Sequence, residues 1–66
     1  MGYRVKEERE KRNMTQEELA QKSGISRQTI SAIENGNAGS VKIGTLLAIA
    51  KALGTTVDEI FFQEAV

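Results

Sequence analysis

The sequence predicts an all-α fold, a compact bundle of five short helices. Three observations carry that reading. The 66 residues contain no proline, five of the six glycines fall between periodic segments, and apolar residues recur at helical spacing with no sustained strand-like alternation. A chain of this length holds one small domain, residues 1–66, and its 39% apolar content is enough for one modest core.

The first helix is expected over Tyr3 to Arg12 (YRVKEEREKR), supported by Glu7/Lys11 and Glu8/Arg12 at i,i+4. Its apolar face is thin, little more than Met1 and Val5, and Asn13 can take the left-handed position after it. Thr15-Gln16-Glu17-Glu18 then reads as a capping box, with Met14 and Leu19 in hydrophobic-staple register. It opens a helix from Gln16 to Ser23 that Gly24 ends. Ser26 caps the third helix, again with a staple from Ile25 to Ile30, and the segment ISRQTISAIENG stops at Gly36.

Residues 36–41 form a loop. The fourth helix carries Leu46, Leu47, Ile49, Ala50 and Leu53 before Gly54. Ser40 is chemically the better cap for it, yet a start at Lys42 sets Val41 and Leu46 in staple register and keeps Gly39 and Ser40 outside, and we prefer Lys42. Thr56-Val57-Asp58-Glu59 is a second capping box, opening a fifth helix with Val57, Ile60 and Phe61 on one side.

Composition narrows the function. Without cysteine or histidine the chain has no disulfide framework, no common zinc site and no Cys- or His-based nucleophile, so neither metal site nor catalytic residue is expected, and an enzyme is disfavoured. Nine Lys+Arg balance nine Asp+Glu. The distribution is mildly polar: residues 1–42 hold eight basic and six acidic side chains, while the remainder holds Lys51 against Asp58, Glu59 and Glu64. No apolar run is long enough for a membrane span or a secretory signal, which points to a soluble intracellular protein.

The informative unit is Gln16 to Asn35, two short helices joined by a three- to four-residue turn. Ala20 falls where the two helices would cross, and Leu19, Ile25, Ile30 and Ile33 point to one core. Arg27, Gln28, Ser31 and Ala32 are left around the outward face of the second helix. This is the layout of a helix-turn-helix, whose second helix enters the major groove. Spacing alone also allows a generic αα-hairpin.

The segment RVKEEREKRNMTQEELAQKSGISRQTISAIENG, continuing into LLAIAKALGTTVDEIF, resembles the lambda-repressor-like, Cro-type helix-turn-helix family of phage repressors and small bacterial regulators. Its most specific pieces are Thr15 to Ala20, Ser26 to Ile30 and Ile33 to Gly36. The resemblance implies a five-helix DNA-binding domain acting as a homodimeric transcriptional regulator, a repressor in the first instance. Arg27 and Gln28 match base-reading positions, and their chemistry suits guanine and adenine respectively; Arg27 could instead touch phosphate. Ser31 could reach a base or sugar, and Ala32 could offer a methyl contact to thymine. Gln16, Ser26, Thr29, Asn35 and Asn37 match backbone-phosphate positions, although Asn35 has a rival role in ending its helix.

The resemblance also suggests a partly buried ion pair between Arg9 and Glu34. One small monomer offers few base contacts, so a C2 dimer is expected through the C-terminal part, Val57, Phe61, Phe62 and Val66. Ile60, Phe61 and Phe62 are consecutive and cannot all enter one small core; Phe62 could alternatively fold over the fourth helix. The partner implied is a double-stranded operator with an inverted repeat, in the cytoplasm at the nucleoid, with no cofactor and no small-molecule ligand required. Two other functions stay open: an antitoxin-like regulator whose main partner is a toxin, and a protein-binding adaptor without DNA. The chain departs from the family at Glu8, where relatives commonly carry leucine, at Asn13 for a usual glycine, and at Lys42 where a capping serine is frequent.

Overall fold

The structure, a computed structural model, describes residues 4–36, 39 and 41–61, with the backbone alone at Phe61. Five helices follow in order: α1 Val5–Lys11, α2 Gln16–Ser23, α3 Arg27–Glu34, α4 Ile43–Leu53 and α5 Val57–Phe61. No strand occurs among the described residues. Expectations placed on Met1, Tyr3, Asn37, Ser40, Phe62, Val66 and the Phe61 side chain lie outside them.

The core is built where the apolar periodicity of each helix converges. Val5, Leu19, Ile30, Ile33, Leu46, Ile49, Ala50, Leu53 and Ile60 are buried together, and Met14, Ala20, Ile25, Val41 and Val57 pack around them. Burying a side chain of this size contributes about 1.5–3 kcal/mol, so α4, with four core residues, holds the largest share. α2 packs on α3 and α4, α1 on α3 and α5, and α4 on α5.

Helix ends follow local chemistry. The Thr15 box is complete: Glu18 N donates to Thr15 Oγ1 at 3.0 Å and Thr15 N donates to Glu18 Oε1 at 2.8 Å. Gly24 stands at φ 76°, a left-handed geometry that a Cβ would strain. Asn13 adopts φ 54°, the conformation asparagine tolerates best after glycine. Lys42 is the N-cap of α4 and makes no side-chain cap bond, so the start of α4 rests on Val41 and Leu46 packing into the core.

The structure corrects several details. α1 begins at Val5, because Arg4 N donates to Ile60 O at 3.1 Å and so ties the entry of α1 to α5. The Glu7/Lys11 pair does not form: Arg4 takes Glu7 at 3.0 Å, and Lys11 turns to Glu8 at 3.3 Å. Glu8 is itself buried, and a carboxylate out of water gathers cations; Arg12 reaches it at 2.8 Å and Arg4 at 3.7 Å. Only half of the second capping box closes. Glu59 N donates to Thr56 Oγ1 at 3.3 Å, while the Glu59 carboxylate instead accepts from the Thr55 hydroxyl at 2.7 Å. Leu47 is no core residue: it follows buried Leu46 by one position, about 100° around the helix, and is 54% exposed.

Candidate nucleic-acid interface

The α2–turn–α3 unit is fixed at both ends of the turn. Gly24 N donates back to Ala20 O at 2.9 Å, Ile25 N donates to Ser23 Oγ at 3.1 Å, and Ser26 caps α3 by accepting from Thr29 N at 3.2 Å. The Ser26 hydroxyl proton goes to Thr29 Oγ1 at 2.9 Å, so the two hydroxyls form one small cluster at the entry of α3. With Ile30 and Ile33 buried, the first turn of α3 is turned outward.

Arg27, Gln28 and Thr29 are exposed on that turn, and Asn35 is exposed at the far end. Ser31 and Ala32 are half-buried, set back from Arg27 and Gln28. Neither Arg27 nor Gln28 hydrogen-bonds to a described residue, which leaves a five-donor guanidinium and a carboxamide side by side for an external partner. Asn35 is the C-cap residue of α3, its N–H donating to Ser31 O at 3.0 Å, and Gly36 follows at φ 75°.

The far end of α3 is clamped by charge. Arg9 Nε donates to Glu34 Oε2 at 2.8 Å and Arg9 Nη2 donates to Glu34 Oε1 at 3.1 Å, a two-pronged pair with side-chain exposures of 10% and 2%. Arg9 Nη1 also donates to Met14 O at 2.7 Å, which ties the segment entering α2 to the same guanidinium. The hydrogen bond from Glu34 holds the Arg9 pKa above its ordinary value, with burial opposing. Gln16, half-buried at the start of α2, donates from Nε2 to Glu34 Oε1 at 3.0 Å. Sequence spacing could not reveal that bond, because 18 positions separate the two residues.

A second surface lies on α4 and α5. Ile43 and Leu47, one turn apart, are 60% and 54% exposed, and beyond Leu47 an open groove is lined by Ala50, Lys51, Thr55, Val57 and Asp58. Sequence reasoning named Val57 here and missed Ile43. The signal was available in the i,i+4 spacing of Ile43 and Leu47, which sits off the Leu46–Ile49–Leu53 stripe.

A family model described as helix-turn-helix matches residues 5–60, from the start of α1 into α5. The chain belongs to the Cro/C1-type helix-turn-helix family. Members similar to it include an uncharacterized HTH-type transcriptional regulator of Methanocaldococcus jannaschii, 45% identical over 97% of this chain and 96% of its own. A regulator of the same description from Archaeoglobus fulgidus is 42% identical over 92% and 84%. A putative antitoxin, HigA2, of Mycobacterium tuberculosis is 36% identical over 86% of this chain and 56% of its own length. The family assignment puts the α2–turn–α3 unit at the place where helix-turn-helix proteins meet DNA. Among the described residues no helix is long and apolar enough to cross a membrane.

Proposed function

We propose that this chain is a sequence-specific duplex-DNA-binding transcriptional regulator, a single domain over residues 1–66 that represses by occupying an operator from the cytoplasmic, nucleoid side. The observation that carries the proposal is the pairing of Arg27 and Gln28, exposed and without a hydrogen-bond partner among the described residues, on the first turn of a helix whose other end is pinned. In the major groove Arg27 reads guanine O6/N7 and Gln28 reads adenine N6/N7, each in bidentate geometry. Ser31 and Ala32 add short-range contacts. Gln16, Ser26, Thr29, Asn35 and Asn37 hold phosphates and set the register. No cofactor or small ligand takes part.

A homodimer supplies enough base contacts for useful specificity. The exposed Ile43 and Leu47, continuous with the groove that includes Val57, support an interface on this side of the molecule, to which Phe61, Phe62 and Val66 contribute. A twofold dimer sets its recognition helices about 34 Å apart and requires an inverted repeat with half-site centres about 10 bp apart. The likeness to a putative antitoxin favours a second reading, in which the same apolar side meets a toxin while α3 keeps its duplex.

Selection of bound sequences from random duplex tests the proposal, with the oligomeric state followed by sedimentation. Inverted symmetry in the selected sites and a salt-dependent affinity are expected. A protein that retains no duplex at any salt concentration is the adaptor, not the regulator.

A further inference from the structure

Glu34 closes α3, yet its carboxylate reaches the first residue of α2. We propose that Glu34 is a positioning residue for the duplex-backbone contact of Gln16, and that Arg9 cancels the charge Glu34 would otherwise set against the phosphate. The proposal rests on the reading of Gln16 as a phosphate contact.

The geometry is a closed network drawn from three helices. Glu34 Oε1 accepts from Gln16 Nε2 at 3.0 Å and from Arg9 Nη2 at 3.1 Å, Glu34 Oε2 accepts from Arg9 Nε at 2.8 Å, and Arg9 Nη1 reaches Met14 O at 2.7 Å. A free glutamine side chain loses its rotamer entropy on meeting a ligand. Here one amide proton of Gln16 is already committed to an ionised acceptor. The carboxamide is planar, so fixing one N–H also fixes the direction of the other, which has no described partner. Gln16 opens α2, where the orphan amides of the first turn and the positive end of the helix dipole favour a phosphate oxygen. An unneutralised carboxylate 3.0 Å from that donor would repel the phosphate. The Arg9 guanidinium removes the repulsion without leaving its own salt bridge.

A buried side chain at the end of α3 thus serves the backbone contact, and its loss weakens every duplex alike. A merely structural Glu34 would lower the melting temperature and leave the worth of Gln16 unchanged. The test compares the effect of Gln16→Ala in two backgrounds: the wild type and Arg9→Met/Glu34→Leu, an apolar replacement of the whole pair that such sites commonly tolerate. Affinity is read on a mixed-sequence duplex at low salt. Gln16→Ala weakens binding about five-fold in the wild type and less than about two-fold where its acceptor is gone. Equal factors in both backgrounds overturn the proposal and leave DNA binding intact. A wild type that binds no duplex overturns the reading beneath it as well.

A second measurement needs no variant to fold. In the side-chain amide spectrum of the DNA-free wild type, one Gln16 proton is expected to exchange slowly and to stand apart from those of exposed Gln28. Gln16 resonances indistinguishable from those of Gln28 would contradict the proposal.

Discussion

Helices α1 and α4 are joined to the same core by different forces. α4 buries Leu46, Ile49, Ala50 and Leu53, so its position rests on apolar area removed from water. α1 buries Val5 and two charged residues, Glu8 and Arg9, and its position rests on who meets those charges. Apolar burial is non-directional and is not screened by dilute salt, whereas a bidentate ion pair fixes orientation. The charged helix touches the end of α3, whereas the apolar helix packs on α2 and α5.

Substitutions that remove one force and spare the other would sharpen or break this contrast. Ile49→Ala, at a fully buried site on α4, is expected to cost about 3–4 kcal/mol in urea unfolding. The loss should be the same at low and high salt. Arg9→Met leaves Glu34 buried without its cation and is expected to cost about 3 kcal/mol, a drop of roughly 12–24 °C in melting temperature for a domain of this size. Arg9→Met/Glu34→Leu should return to within about 1 kcal/mol of the wild type, since no charge is then stranded. A double variant as unstable as the single one would mean that packing, not charge, holds α1.

Smaller effects separate the two capping boxes and the two buried charges. Thr15→Ala removes a closed box and is expected to cost about 1 kcal/mol, whereas Thr56→Ala removes half of one and should cost a few tenths. Thermal melts of the two variants order them directly. The effect of Glu8 is also small, and it depends on pH. The Arg12 hydrogen bond holds its carboxyl below the ordinary 4.5, with Lys11 helping and burial opposing. A carboxyl depressed in the folded state stabilises above its unfolded pKa, and the contribution is lost as pH falls through the folded value. The window therefore lies below about pH 4.5. Glu8→Gln should unfold with less difference between pH 7 and pH 3 than the wild type, by under about 1 kcal/mol, because the flanking cations remain solvated.

How much could be read from the residues alone follows from the same contrast. Caps, turns and apolar stripes act over three or four positions, so Thr15, Gly24, Ser26 and Ile30 declared their roles in sequence. Of the outward face expected for α3, Arg27 and Gln28 are exposed, while Ser31 and Ala32 are half-buried. Contacts across the fold were illegible by spacing: the Gln16–Glu34 bond joins residues 18 apart, and the Arg9–Glu34 pair, 25 apart, came only through the family resemblance. Glu8 was legible in part: its i,i+4 pair with Arg12 forms as expected, while its burial and its pairing with Arg4 and Lys11 were not read. Its partners at positions 4, 11 and 12 were the available signal, since i−4, i+3 and i+4 lie on one side of a helix. Leu47, named only among the apolar residues of α4, lies on its outward side.

We propose that Arg27 and Gln28 read bases while Gln16 holds the backbone. The most direct measurement is the affinity of wild type, Arg27→Ala, Gln28→Ala and Gln16→Ala for a selected duplex and for versions carrying single base-pair changes in one half-site. Arg27→Ala and Gln28→Ala are each expected to lose about 1–3 kcal/mol on the selected duplex and to become indifferent to the change at one base pair. Gln16→Ala should weaken all duplexes by a common factor and keep the discrimination. If the three variants show the same pattern across matched and mismatched duplexes, the division between base readers and backbone contact is wrong.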